Sequence, residues 1–127
     1  MKHVPTAIGI VLCDRVLVDK STNNVTAVEV FNVRLLGSIP GRSAFYALAW
    51  LADGEGELPA EVIIRRLDNL EEVYRHQQTL VFKNRLHDAR FLARISGCTF
   101  PVAGYYEIVL VIGGEPIAHR RFRVQKG

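Results

Sequence analysis

The chain has 127 residues, the size of one ordinary domain, and folding at that length buries roughly two-thirds of the extended chain's surface. Its 49% hydrophobic and 23% charged residues exclude a disordered segment, and a formal charge of +3 is too small to argue for nucleic acid unless the charges gather on one face. Two cysteines, Cys13 and Cys98, are too few for a structural zinc site, and no run approaches the ~18 apolar residues of a membrane span.

In chain order, "TAIGIVLCDRVLV" (6–18) reads as a first strand, rich in Val and Ile. Lys2 ahead of an apolar run ending in Cys13 has the outline of a secretory or lipoprotein signal. The run is short, however, and Leu12 stands where a small residue is needed before the cut, so a strand is expected. "KSTNN" supplies turn chemistry. "VTAVEVFNVRLL" (25–36) is the second strand, closed by Gly37, Pro40 and Gly41, and "SAFYALAWLAD" (43–53) is the third. "EVIIRRL" (61–67) and "VYRHQQTLVF" (73–82) follow. "NLEEVYRHQ" competes as two turns of helix, but the Val, Tyr and Thr-Leu-Val-Phe content favours a strand. "ARFLARIS" (89–96) precedes the corner "GCTFPVAG", and "GYYEIVLVIGGEPIAHRRFRV" (104–124) supplies two strands turning at Gly113-Gly114. Eight strands with turns every ten or so residues predict one all-β domain over residues 1–127, a sandwich or a barrel.

The last hairpin sharpens that choice. Gly104 stands two residues before Tyr106, the opening of a tyrosine corner, in which the phenol bonds back to the preceding loop. Alternation puts Tyr106, Ile108, Leu110 and Ile112 on one face. On the returning strand Phe122 and Val124 share a face while Ile117 has the opposite parity. A bulge is therefore expected near residues 118–120, twisting an edge strand. "LCDRVLVD" (12–19), "VEVF" (28–31), "DGEGE" (53–57), "RRLDNLEEVYR" (65–75) and "GCTFPVAGYY" through "FRV" (97–124) resemble a family of short bacterial proteins of unknown function. The resemblance implies an eight-stranded immunoglobulin-like antiparallel β-sandwich and carries over no active-site residue. The strongly apolar third strand around Trp50 departs from it.

Little in the chain points to catalysis. There is no HExxH, no phosphate loop and no strand-to-helix GxGxxG. His87-Asp88 fits a solvated loop better than a metal dyad. "GSIPG" and "GRSAF" are turns rather than a nucleophile elbow. Asp53, Glu55 and Glu57 alternate as calcium ligands do, yet Asp-Gly is an ordinary turn signal. Cys13 and Cys98 are expected as free thiols packed as small apolar groups, which suits the reducing cytoplasm. No metal and no cofactor is expected. Arg120, Arg121, Arg123 and Lys126 gather in the final strand, where a charged edge explains them better than nucleic-acid binding does.

The third strand is apolar on both faces: Tyr46, Leu48 and Trp50 on one, Phe45, Ala47, Ala49 and Leu51 on the other. A sandwich strand should be polar outside. In an immunoglobulin-like order, strands three, seven and eight share a sheet. With Tyr46, Leu48 and Trp50 in the core, its outer face would carry Phe45, Ala47, Ala49, Leu51, Tyr105, Val109 and Val111, rimmed by Arg121 and Arg123. This predicts a non-catalytic module that binds a second copy or another protein there, unless a loop or the N-terminal segment covers the patch. The alternative is a small-molecule or carbohydrate-binding sandwich using the loops around "DGEGE" and "GCTFP" at one end.

Overall fold

The computed structural model describes residues 2–86 and 88–127. Among them, nine strands form two facing sheets. They are β1 (Thr6–Val18), β2 (Val25–Val30), β3 (Val33–Leu36), β4 (Gly41–Ala52), β5 (Gly56–Arg66), β6 (Glu72–Phe82), β7 (Ala89–Phe100), β8 (Gly104–Ile112) and β9 (Glu115–Lys126). One sheet has the order β2-β1-β4-β7 and the other β3-β9-β8-β5-β6. Neighbours are antiparallel except β3 and β9, which run parallel. No helix among the described residues is long and apolar enough to cross a membrane.

The expected eight strands become nine because "VTAVEVFNVRLL" is divided at Phe31-Asn32. There the chain leaves one sheet for the other. The Phe31 amide donates to the Leu12 carbonyl of the first sheet (2.9 Å), and the next carbonyl, of Asn32, accepts from the Arg123 amide of the second (2.8 Å). This crossing changes the expected sheet assignment. The predicted third strand, β4, joins β1 and β7, whereas β8 and β9 lie in the opposite sheet. Residues Glu72–Phe82 are a strand, as the Val, Tyr and Thr content implied.

The two-faced strand is placed in the opposite phase to the expected one. Phe45, Ala47, Ala49 and Leu51 point into the core, with 0–1% of their surface exposed, and Trp50 on the other side is 40% exposed. They form no outer patch. Side-chain volume explains the choice. Across β7, Ala49 pairs with Phe91 and Leu51 with Ala89, so small and large groups alternate. The facing sheet supplies Tyr106, Ile108, Leu110, Val62 and Ile64 to the same cluster. A Tyr46-Leu48-Trp50 face would bring three bulky groups where two alanines now leave space.

The outer side of β4 is nonetheless apolar. Leu48 is fully buried there, paired between Val11 and Leu92. The β1–β2 hairpin bends back towards this side, since its tip carbonyl, of Asn23, accepts a hydrogen bond from Arg90 (3.1 Å). Arg90 is the cross-strand partner of Trp50, at the far end of β4 from the point where β1 turns away. Glu29, at φ 56°, kinks β2 near the base of the hairpin.

At the other end, five aromatic rings join the sheets edge to face. Phe31 meets Phe45 at 5.3 Å, Phe45 meets Phe122 at 6.2 Å, and Phe100 meets Tyr106 at 4.9 Å. Arg34 lies over the Phe31 ring at 4.7 Å and pairs with Asp14, closing that end. The expected tyrosine corner is present: the buried Tyr106 phenol donates to the Val102 carbonyl at 2.7 Å. Gly113 and Gly114, at φ 61° and 82°, make the two-residue turn between β8 and β9, a backbone that disfavours side chains with a Cβ. The bulge in β9 falls at Ile117, one residue before the expected range. Leu110 pairs with Ala118 and Val111 with Pro116, leaving Ile117 over. The C-terminal part of β9 is not an edge, because β3 pairs with Arg123–Lys126.

Three substitutions test this arrangement. Tyr106→Phe removes one buried hydrogen bond and is expected to cost about 1–2 kcal/mol in urea unfolding. Ala49→Glu places an unpaired charge in the core, a cost of several kcal/mol against a typical total of about 5–15, and should abolish the cooperative circular-dichroism transition. Trp50→Gln, on the opposite flank, should keep that transition.

Candidate functional site

Burying Tyr106 fixes the phase of β8. Its alternate residues, Tyr105, Glu107, Val109 and Val111, face outward from the five-stranded sheet. Register then sets their neighbours: Tyr105 beside Arg123, Glu107 between Arg121 and Arg65, Val109 between His119 and Ile63. Tyr105, Val109, Val111, Arg121 and Arg123 therefore do share one face, without the β4 residues. Only Tyr105, Arg121 and Arg123 are exposed. Val109 is 7% exposed and Val111 half-buried, each enclosed by longer neighbours.

The charges on this face are unevenly matched. Towards β5 and β6, Arg65, Arg75, Glu61, Glu72 and Glu107 are paired. Arg65 donates to the nearly buried Glu107 through Nε (3.2 Å) and Nη2 (2.8 Å), and His119 Nδ1 lies 3.4 Å from the other carboxylate oxygen. Arg75 pairs with Glu61 and with Glu72 (2.6 Å). On the β9 side the charges are not. Among the described residues, Arg121 and Arg123 have no carboxylate partner, and Arg123 stacks over Tyr105 at 5.7 Å. None of the acids that neutralise the first half was singled out from the sequence. The alternation of Glu107 with Tyr105 and Val109 was the available signal.

A groove of about 590 Å³ opens beside Tyr105. Leu67, Val102, Ala103 and Tyr106 line it together with Arg121 and the Arg66–Asp68 pair, whose two hydrogen bonds are 3.0 and 2.7 Å. The Leu67 amide donates to the Tyr105 carbonyl (3.0 Å), tying the end of β5 to the start of β8. Gly104, at φ 141°, lets the chain leave the corner and enter β8. The volume lies within the usual range of ligand sites, and the lining combines apolar walls with few polar groups.

The other candidate groups are elsewhere. Glu55 pairs with His3 through the backbone, and the Asp53 carbonyl contacts His3 Nδ1 at 2.8 Å. Among the described residues no three metal-ligating side chains converge. The "DGEGE" and "GCTFP" loops are at opposite ends of the sandwich, since β4 pairs Leu51 with Ala89 and Gly41 with Phe100. They cannot form one site. His87 lies outside the described residues.

Both cysteines are free and buried, Cys98 in the core and Cys13 on the outer side of β1. Burial pushes the Cys98 thiol up to about 12. Burial, reinforced by the Asp14 charge, raises Cys13 as well. Neither carries appreciable thiolate at neutral pH, the form that attacks. A thiol-reactive dye should therefore label neither in the folded protein at pH 7.5 and both after denaturation. Labelling of either in the folded state contradicts this placement.

Proteins of established role offer no direct guide, since no curated protein matches the chain. Residues 9–125, from the first core strand through β9, match a family of unknown function (DUF6941), and the chain belongs to that family.

Proposed function

We propose that this chain is an immunoglobulin-like β-sandwich acting as a non-catalytic binding module, with the β8–β9 half of the five-stranded sheet as its recognition surface. The immunoglobulin-like reading is supported by the order β1-β4-β7 facing β9-β8-β5-β6, by β3 lying parallel on β9, and by the Tyr106 corner. The observation that carries the binding reading is the charge imbalance. Arg121 and Arg123 stand unmatched beside an exposed Tyr105 and a groove, while the nearest carboxylate on the same face, Glu107, is already engaged by Arg65, and Glu61 and Glu72 by Arg75. Aromatic and arginine side chains are the groups that dominate protein recognition. The partner is another protein, and two free buried thiols suit a reducing compartment such as the cytoplasm.

The groove volume favours one second reading, a small molecule bound at Tyr105. Affinity capture from native lysate separates the two. With wild type and Arg121→Glu/Arg123→Glu as baits, proteins retained by the wild type should fall at least tenfold on the variant. A control, Val81→Glu on β6, should keep them. An unchanged set of captured proteins overturns the reading. Loss of no protein, with a ligand-induced thermal shift that the variant lacks, favours the small molecule.

A further inference from the structure

The chemistry of the partner follows from the spacing of the free charges, and this step rests on the recognition surface proposed above. Arg121 and Arg123 are alternate residues of one strand, both exposed and both on the outer face. Strand rise separates such residues by about 6.8 Å. An extended peptide has the same repeat, so carboxylates at alternate positions of a bound segment meet the two guanidinium groups in register. Each planar fork offers paired N–H donors that match a carboxylate.

The surroundings say what accompanies the acids. Val33 is the neighbour of Arg123 on β3, with Leu35 two residues beyond it, and they are 46% and 57% exposed. On the other side stands Tyr105, 56% exposed, at the mouth of the groove walled by Leu67, Val102 and Ala103. The cationic pair is thus flanked by apolar surface on both sides. We infer that the site takes an extended acidic segment of a partner protein, with carboxylates at alternate positions over Arg121 and Arg123 and an apolar or aromatic side chain in the groove at Tyr105. A polyanion is disfavoured. Its regular charges would continue from the two arginines onto Asp68, Glu107 and Glu61, which share the face or the groove.

Fluorescence anisotropy of labelled peptides tests this. The first probe is a ten-residue peptide with Glu at alternate positions and a terminal Phe. A second has the same composition with its glutamates contiguous, and oligo-uridine and pyrophosphate serve as competitors. The alternating peptide should bind saturably, at least fivefold more tightly than the contiguous one. Arg121→Gln/Arg123→Gln should weaken it at least tenfold, Tyr105→Ala at least fivefold, and neither competitor should displace it at equal charge. Equal binding of the two peptides, displacement by oligo-uridine or pyrophosphate, or no loss in the arginine variant overturns the inference. If these fail while lysate capture still depends on Arg121 and Arg123, the surface is correct and the ligand chemistry is wrong.

Discussion

The position of every outward group on the five-stranded sheet depends on one buried phenol. Tyr106 is enclosed by Phe100 and Phe122, and its hydroxyl reaches back to the Val102 carbonyl. A tyrosine of this kind has two requirements, an apolar enclosure for the ring and an acceptor for the hydroxyl. Both are met only with Tyr106 facing inward. A slip of one residue would bury Tyr105 and Glu107 instead and expose Ile108 and Leu110. The corner bond thus sets the phase of β8, and through the register with β9 it sets which arginines face water.

A second constraint acts on the opposite sheet. β4 carries apolar side chains on both flanks, and volume decides which flank enters the core. The alanines at 47 and 49 accept Phe91 and the large side chains of the facing sheet, while Leu48 is buried on the other side, where the β1–β2 hairpin folds back. The central part of a two-faced strand is thus buried on both flanks, although Trp50 near its end stays exposed. The division of the next segment at Phe31-Asn32 raises the strand count by one, and β4 lies in the opposite sheet from β8 and β9.

The readable part of the sequence was local. Alternation of Tyr106, Ile108, Leu110 and Ile112, the Gly113-Gly114 turn and the Gly104-x-Tyr106 opening are signals within a few residues, and each corresponds to the structure. The bulge in β9 followed from the parity of Ile117 against Phe122, to within one residue. What escaped was long-range. No glycine or proline at Phe31-Asn32 announces a change of sheet, and the bend there shows only in the hydrogen-bond partners that the two residues find in different sheets. The phase of β4 was hidden for a similar reason: with both flanks apolar, periodicity carries no sign, and size complementarity with β7 and the facing sheet decides. For the site, Tyr105, Arg121 and Arg123 could be placed together from the hairpin alone. The pairing of Arg65 with Glu107, 42 positions apart, could not, and that pairing is what leaves the β9 arginines as the unmatched charges.

The proposed recognition surface therefore rests on adjacent tyrosines in opposite environments. Tyrosine nitration of the folded protein, mapped by mass spectrometry, tests that division most directly. Tyr105 should be modified readily, and Tyr106 should remain unmodified until the protein is denatured. Nitration of Tyr106 in the folded state, or protection of Tyr105 in the isolated chain, would place β8 in the other phase and remove the recognition surface built upon it.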